Sequence, residues 1–446
     1  MKDMLLFAFD MNCVAHQSQG LWRHPRDCAS NYTDMSYWTG IAKTLERGFF
    51  DGIFLADVSG LYDVFEGSPR AAIASATQIP TNDPFTLVPL MAGVTSHLTF
   101  GVTGNLSLES PYLFARRVSS LDHLTSGRFG WNIVTGYLDS AHKGMGEEGK
   151  QGHDVRYDIA DEYMEIVYRL WEESWEDDAV VRDSDSGIFA EPSKVHEIVH
   201  EGKYFSMKGI HLCEPSPQRT PLLFQAGTSK KGRAFAGKHA ECVFIVGNNP
   251  QVQSGVVDQL RQQASMNGRD PKDLKVIGGL SVIVGNSDRE AKEKFEDYTQ
   301  YGSHQGALAL LSGWSGMDLS LEDDKKRIGQ DNGDAIRGVF QHAGVSSMQD
   351  WVDRTTVGGA TETIVGSPVT VVDQMNDWLD ISGLDGFNLA YTVMPECVED
   401  FVDLVVPELQ NRGLMKTSYK EGTFRNKLYG KGNYLNDSHP ASKYRR

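Results

Sequence analysis

Lys275-Val276-Ile277-Gly278-Gly279-Leu280-Ser281-Val282-Ile283-Val284-Gly285 has one polar side chain, Ser281, between its two ends. A run this apolar offers neither face to water, so it reads as a strand buried on both sides, the habit of parallel sheets. Seven more such runs lie at 5–9, 52–57, 98–103, 128–135, 221–227, 242–247 and 386–393. Segments with helical spacing separate most of them: 34–49, 84–97, 111–124 with Pro111 at a helix start, and 396–412. Eight buried strands alternating with helices predict an α/β fold, a closed (β/α)8 TIM barrel, whose chemistry sits at the strands' C-terminal ends.

Two intervals are too long for simple crossovers. Residues 136–220, after the fourth strand, hold an amphipathic helix at 155–175, an acidic surface stretch at 172–185, and a hairpin pattern at 195–207 around Glu201-Gly202. Residues 286–370, after the seventh, hold a helix at 288–301 and Gly-, Ser- and Asp-rich stretches; Ser367 then caps a helix opened by Pro368. The expected organisation is one barrel domain over 1–413 with these insertions, followed by a C-terminal arm, 414–446. With eight basic and two acidic residues, the arm is expected to pack on the barrel or on a neighbouring subunit.

A formal charge of −17 argues against nucleic acid or an anionic membrane as partner, since phosphate binding needs clustered Lys and Arg. No apolar run approaches the roughly 20 residues of a membrane span. Five scattered cysteines without a CxxC pair, and no export signal ahead of the first strand, point to reduced thiols and a cytoplasmic protein.

Two motifs mislead. His196-Glu197-Ile198-Val199-His200 matches HExxH, but zinc binding needs a helix, and here Pro192, β-branched residues and Gly202 oppose one. Gly144-Met145-Gly146-Glu147-Glu148-Gly149 matches GxGxxG, yet it does not join a strand to a helix, and two carboxylates would face a pyrophosphate. No metal site is expected.

The informative constellation follows the fifth strand. In Gln225-Ala226-Gly227-Thr228-Ser229 glycine permits close backbone approach, and the hydroxyls with the next helix's N–H groups suit an anion; an ordinary helix cap fits equally. Arg156 and Tyr157 would add charge and a phenolic donor. Cys13 and His16 follow the first strand, Tyr62 and Gln78 lie in the loop after the second, and Asp57, Thr103, Asn132 and Thr135 stand at strand ends.

The stretches Met11-Asn12-Cys13-Val14, Gly20-Leu21-Trp22-Arg23-His24-Pro25, Leu121-Asp122-His123-Leu124-Thr125, Trp131-Asn132-Ile133-Val134-Thr135, His153-Asp154-Val155-Arg156-Tyr157 and Asp385-Gly386-Phe387-Asn388-Leu389 together resemble the bacterial-luciferase-like flavin monooxygenases. Within these the chain is similar to the nitrilotriacetate and dibenzothiophene-sulfone branch, above all to the dimethyl-sulfide and long-chain alkane monooxygenases. The resemblance implies a two-component, homodimeric or homotetrameric enzyme. A separate NAD(P)H-dependent flavin reductase would supply reduced FMN (FMNH2), and O2 would be activated as a flavin C4a-(hydro)peroxide to oxygenate a small apolar substrate. By position, Asp57, Thr103, Asn132 and Thr135 would border the flavin ring and ribityl chain. Tyr157, Gly227, Thr228 and Ser229 would hold the phosphate. Cys13, His16, Tyr62, Gln78 and Tyr137 would line the catalytic, substrate side. Tyr137 and Leu310 stand where the alkane branch has histidines, which leans the reading towards a dialkyl sulfide, oxidised with C–S cleavage, over a long alkane hydroxylated at its end. An F420-dependent oxidoreductase and a non-catalytic flavin-binding protein are the competing readings.

Overall fold

The computed structural model describes residues 3–227, 229–321 and 348–446. Its strands run β1 Leu5–Met11, β2 Gly52–Ala56, β3 Thr99–Asn105 and β4 Phe129–Val134. Two hairpins follow in the first insertion: β5 Val180–Asp183 with β6 Ile188–Ala190, and β7 Ile198–Glu201 with β8 Ser206–Gly209. Then come β9 Leu222–Gln225, β10 Cys242–Ile245, β11 Lys275–Val284, β12 Glu362–Gly366 and β13 Gly386–Ala390. Eight of them, in the order β1-β2-β3-β4-β9-β10-β11-β13 and back to β1, close a parallel barrel. The β/α barrel expected from the apolar runs is therefore present.

A ninth strand corrects the expected content of the second insertion. β11 is ten residues long, and Lys275–Gly278 is enough to pair β10. Its upper half would leave backbone donors and acceptors unpaired above β10, and β12 takes them, Leu280 to Val284 pairing with Glu362 to Gly366. Glu362 and Thr363 make that strand too polar to stand out in the sequence.

Side-chain alternation divides the strands. Leu6, Ala8, Ile53 and Leu55 face the helix layer, while Phe7, Phe9, Phe54, Phe224 and Phe244 fill the barrel. The interior rings meet edge to face, Phe7 with Phe224 at 5.9 Å and 88°, Phe54 with Phe224 at 5.4 Å and 80°, the geometry that ring quadrupoles favour.

The C-terminal arm packs on the barrel at the strands' N-terminal ends. Phe424 joins the interior cluster against Phe7 and Phe224. Arg425 holds Glu241 through Nε–Oε1 at 2.6 Å and Nη2–Oε2 at 2.8 Å, and Nη2 also donates to the Thr220 and Pro221 carbonyls. The arm thus plugs the barrel at the end opposite its C-terminal mouth. Ser367 caps the helix Pro368–Ser382, accepting from Thr370 N–H as its sequence predicts. The helices Asp288–Thr299, His304–Ser315 and Met348–Thr356 fill the second insertion among the described residues. No helix among the described residues is long and apolar enough to cross a membrane.

Candidate active site

A cavity of about 250 Å³ opens at the C-terminal mouth. Phe9 and Phe244 reach it from the barrel interior, Ile133 and Thr135 from the end of β4, and Gln225 and Gly227 from the end of β9. Tyr137, Tyr157 and Trp314 complete the wall.

One corner is built for close approach. A Cβ on Gly227 would lie 2.3 Å from Gln225 Nε2 and 2.7 Å from the Tyr157 hydroxyl; one on Gly232 would lie 2.8 Å from that hydroxyl. Tyr157 is thus wedged at the N-terminus of the helix Lys230–His239, where unpaired N–H groups and the helix dipole favour an anion. Ser229 is the N-cap, its Oγ accepting from Gly232 N–H at 3.0 Å and lying 3.2 Å from His153 Nε2. The helix-cap reading of Ser229 is what this hydrogen bond shows. Thr228, the other expected phosphate residue, lies outside the described residues.

Asn132 Nδ2 donates to Thr103 Oγ1 at 2.9 Å across β4 and β3. Asn132 Oδ1 and Gln225 Oε1 are buried without a hydrogen-bond partner, an arrangement that costs free energy unless a ligand donor reaches them. Asp57 follows β2; burial, assisted by the negative charge of Asp83, pushes its carboxyl up to about 6. These orphaned amide oxygens, apolar rings and a cradle that a Cβ would fill fit a flavin mononucleotide.

On the opposite side a chain of polar groups links four of the expected catalytic residues. The Tyr62 hydroxyl hydrogen-bonds Tyr137 and donates to Gln78 Oε1 at 2.8 Å, and Gln78 Nε2 donates to the His16 carbonyl at 2.8 Å. His16 packs edge-on against Phe9, ring centroids 4.4 Å apart. Burial drives its imidazole down to about 3, so it is neutral throughout the physiological range. Cys13 is buried near it in the chain, its thiol pushed well up by burial and then by Asp10. It is therefore no thiolate nucleophile at neutral pH. An apolar cluster of Tyr62, Leu138, Leu310, Leu311 and Trp314 backs these groups.

His196 and His200 are not paired ligands. His200 lies in β7, each side chain is held by its own carboxylate, Glu176 at 2.8 Å and Glu162 at 3.1 Å, and the helix that HExxH requires is replaced by extended chain.

The chain matches the luciferase-like monooxygenase family model over residues 8–385. It belongs to that family. Its fold, its site at the barrel mouth and its relatives make it a flavin-dependent monooxygenase. It is 46% identical to the dimethyl-sulfide monooxygenase of Hyphomicrobium sulfonivorans, over 100% of this chain and 94% of that one. It is 49% identical to the long-chain alkane monooxygenase of Geobacillus thermodenitrificans, over 100% of this chain and 98% of that one. A solved riboflavin lyase, crystallised with modified FMN and riboflavin, superposes with a TM-score of 0.94 at 34% identity, each chain covered in full.

Of the expected site residues, Thr135, Tyr137, Tyr157 and Gly227 line the cavity directly, and Cys13, His16, Tyr62, Gln78, Asp57, Thr103, Asn132 and Ser229 are not among its lining residues. The sequence reading did not place Phe9, Phe244 or Trp314 there. The two phenylalanines were legible as inward positions near the ends of the first and sixth strands. Trp314 was not, because the helix His304–Ser315 carries no polar face to mark it.

Proposed function

We propose that this chain is the oxygenase component of a two-component system, taking FMNH2 from a separate NAD(P)H-dependent reductase and oxygenating a small dialkyl sulfide, dimethyl sulfide in the first instance. The observation that carries the reading is one cavity that brings the close-approach corner at Tyr157 and Gly227 together with the Phe9, Phe244 and Trp314 rings and with Tyr137, whose hydroxyl bonds that of Tyr62. The named activities of the relatives point the same way, and their 46% and 49% identities do not separate sulfide from alkane. Tyr137 and Leu310 favour the sulfide: Leu310 is fully buried in the apolar cluster, where a histidine would need a partner.

When bound, reduced flavin supplies the two electrons that activate O2. Tyr157, Gly227 and the helix N-terminus would hold its phosphate; Asn132, Thr103, Asp57 and Thr135 would orient the ring and ribityl chain. Phe9, Phe244 and Trp314 would keep water out, and its entry would divert the reducing equivalents to hydrogen peroxide. The Tyr137 hydroxyl would offer a proton into the cavity, with Tyr62 and Gln78 fixing its hydrogen-bond chain. The balance is dimethyl sulfide, O2 and two reducing equivalents with two protons giving methanethiol, formaldehyde and water.

The test combines the purified protein, FMN and an NADH-dependent flavin reductase with dimethyl sulfide or hexadecane. Methanethiol and formaldehyde from the sulfide support the proposal. Hexadecanol alone would move the assignment to the alkane reading, and oxygenated product from neither would overturn both.

A further inference from the structure

Tyr62 and Tyr137 meet hydroxyl to hydroxyl from two different loops, one following β2 and the other following β4. Burial pushes both phenols above the usual tyrosine range, so each keeps its proton at neutral pH. A hydrogen bond between neutral hydroxyls has no net charge to hold it at longer range, and it weakens once the oxygens part. Its survival therefore depends on what fixes one loop against the other.

Ser140 ties the two together. It stands in the first turn of the short helix Asp139–Gly144, just after Tyr137 in the chain, and its hydroxyl meets both backbone groups of Leu61, the residue before Tyr62. Ser140 Oγ accepts from Leu61 N–H at 2.8 Å and donates to the Leu61 carbonyl at 2.9 Å. A hydroxyl suits this place because a single oxygen both donates and accepts. The Leu61 carbonyl also accepts from Asp63 N–H at 3.1 Å within its own loop, and the Ser140 bonds reach across from the other. The approach is close: a Cβ on Gly60 would lie 2.9 Å from Ser140 Oγ and 3.0 Å from Cβ of Leu138. Leu138 packs in the apolar cluster that also holds the Tyr62 ring. The Tyr137 loop is tied at its far end as well, Lys150 Nζ donating to the Tyr137 carbonyl at 2.9 Å and Lys150 N–H to Asp139 Oδ1 at 3.2 Å.

We propose that Ser140 is a positioning residue for the oxygenation: by fixing Leu61 it sets the Tyr62 hydroxyl against that of Tyr137. The functional half rests on the reading that Tyr137 offers a proton into the cavity; the geometric half stands without it.

The test labels the full chain with tyrosine carrying carbon-13 at Cζ, whose NMR shift reports the hydrogen bonding of each phenol; Tyr62→Phe and Tyr137→Phe assign the two resonances. Ser140→Ala should shift both and lower product per reduced flavin about five-fold, the worth of one hydrogen bond. Ser140→Thr keeps the hydroxyl and should restore both readouts. In a Tyr137→Phe background Ser140→Ala should cost nothing further, because the contact it sets is already gone. Should Ser140→Ala fail to fold, Gly60→Ala serves: its Cβ forces Ser140 and Leu61 apart and should shift the same two resonances. Unmoved resonances, or a loss of product equally large in the Tyr137→Phe background, overturns the proposal. Shifted resonances with product per flavin unchanged in both Ser140→Ala and Tyr137→Phe overturn the proton role of Tyr137 and leave the placing of the two hydroxyls by Ser140 standing.

Discussion

A Cβ on Gly313 would lie 2.1 Å from Cδ1 of Tyr62 and 2.6 Å from its Cε1. The helix His304–Ser315 therefore holds the Tyr62 ring flat against its own backbone, and Tyr62 in turn carries the hydrogen bonds to Tyr137 and Gln78. Gly313→Ala should push the ring out of line. Overpacking of this kind costs roughly 1–3 kcal/mol, against a helix-propensity gain of about 1 kcal/mol for Ala over Gly. The expected result is a small change in melting temperature with a roughly ten-fold fall in product per reduced flavin, the loss of about one hydrogen bond's orientation. Unchanged coupling in Gly313→Ala would show that the Tyr62 position is unimportant.

The phosphate corner separates two flavins. Tyr157→Phe combined with Ser229→Ala should weaken FMNH2 by about ten- to a hundred-fold, since hydrogen bonds to charged groups are worth roughly 1.5–3 kcal/mol. Reduced riboflavin, lacking the phosphate, should lose little. Anaerobic titration of both flavins measures this, and equal losses would remove Tyr157 and Ser229 from the phosphate site.

Asp57 makes stability depend on pH. Its carboxyl rises from 3.8 to about 6 on folding, so the folded chain keeps a proton that the unfolded chain gives up. The contribution is full below pH 3.8 and is lost as pH rises through about 6. Asp57→Asn should match the wild type near pH 4 and exceed it at pH 7 by about 2–3 kcal/mol in urea unfolding. A gain of the same size at both pH values would contradict the burial argument.

Cys13 should stay unmodified when the folded protein meets iodoacetamide at pH 8, while unfolding in urea should expose it. Mass spectrometry reads the difference. Rapid alkylation in the folded state would contradict the burial that keeps the thiol protonated.

Arg425 and Glu241 form a buried pair at the closed end of the barrel, with side chains 3% and 7% exposed. Removing one partner strands the other charge, so Arg425→Ala should cost about 3–5 kcal/mol. A thermal melt within one degree of wild type would show that the arm does not seal the barrel.

The barrel was legible because its strands are buried on both faces, and continuous apolar runs such as 275–285 have no other comfortable place. β12 was not, because Glu362 and Thr363 sit on a strand that pairs on one edge only with the protruding half of β11. The cavity wall was legible in part: Tyr157 and Gly227 stood out as anion-binding residue types and Tyr137 through resemblance, and all three line it. The Phe9 and Phe244 rings look like any core aromatics in sequence.

The most direct measurement loads the protein anaerobically with one equivalent of FMNH2 and mixes it with aerated buffer, with and without dimethyl sulfide, following flavin absorbance and products through a single turnover. The account predicts a delayed return of oxidised flavin and close to one methanethiol and one formaldehyde per flavin when the sulfide is present. Immediate reoxidation with full release of hydrogen peroxide, whether or not the sulfide is there, would contradict it.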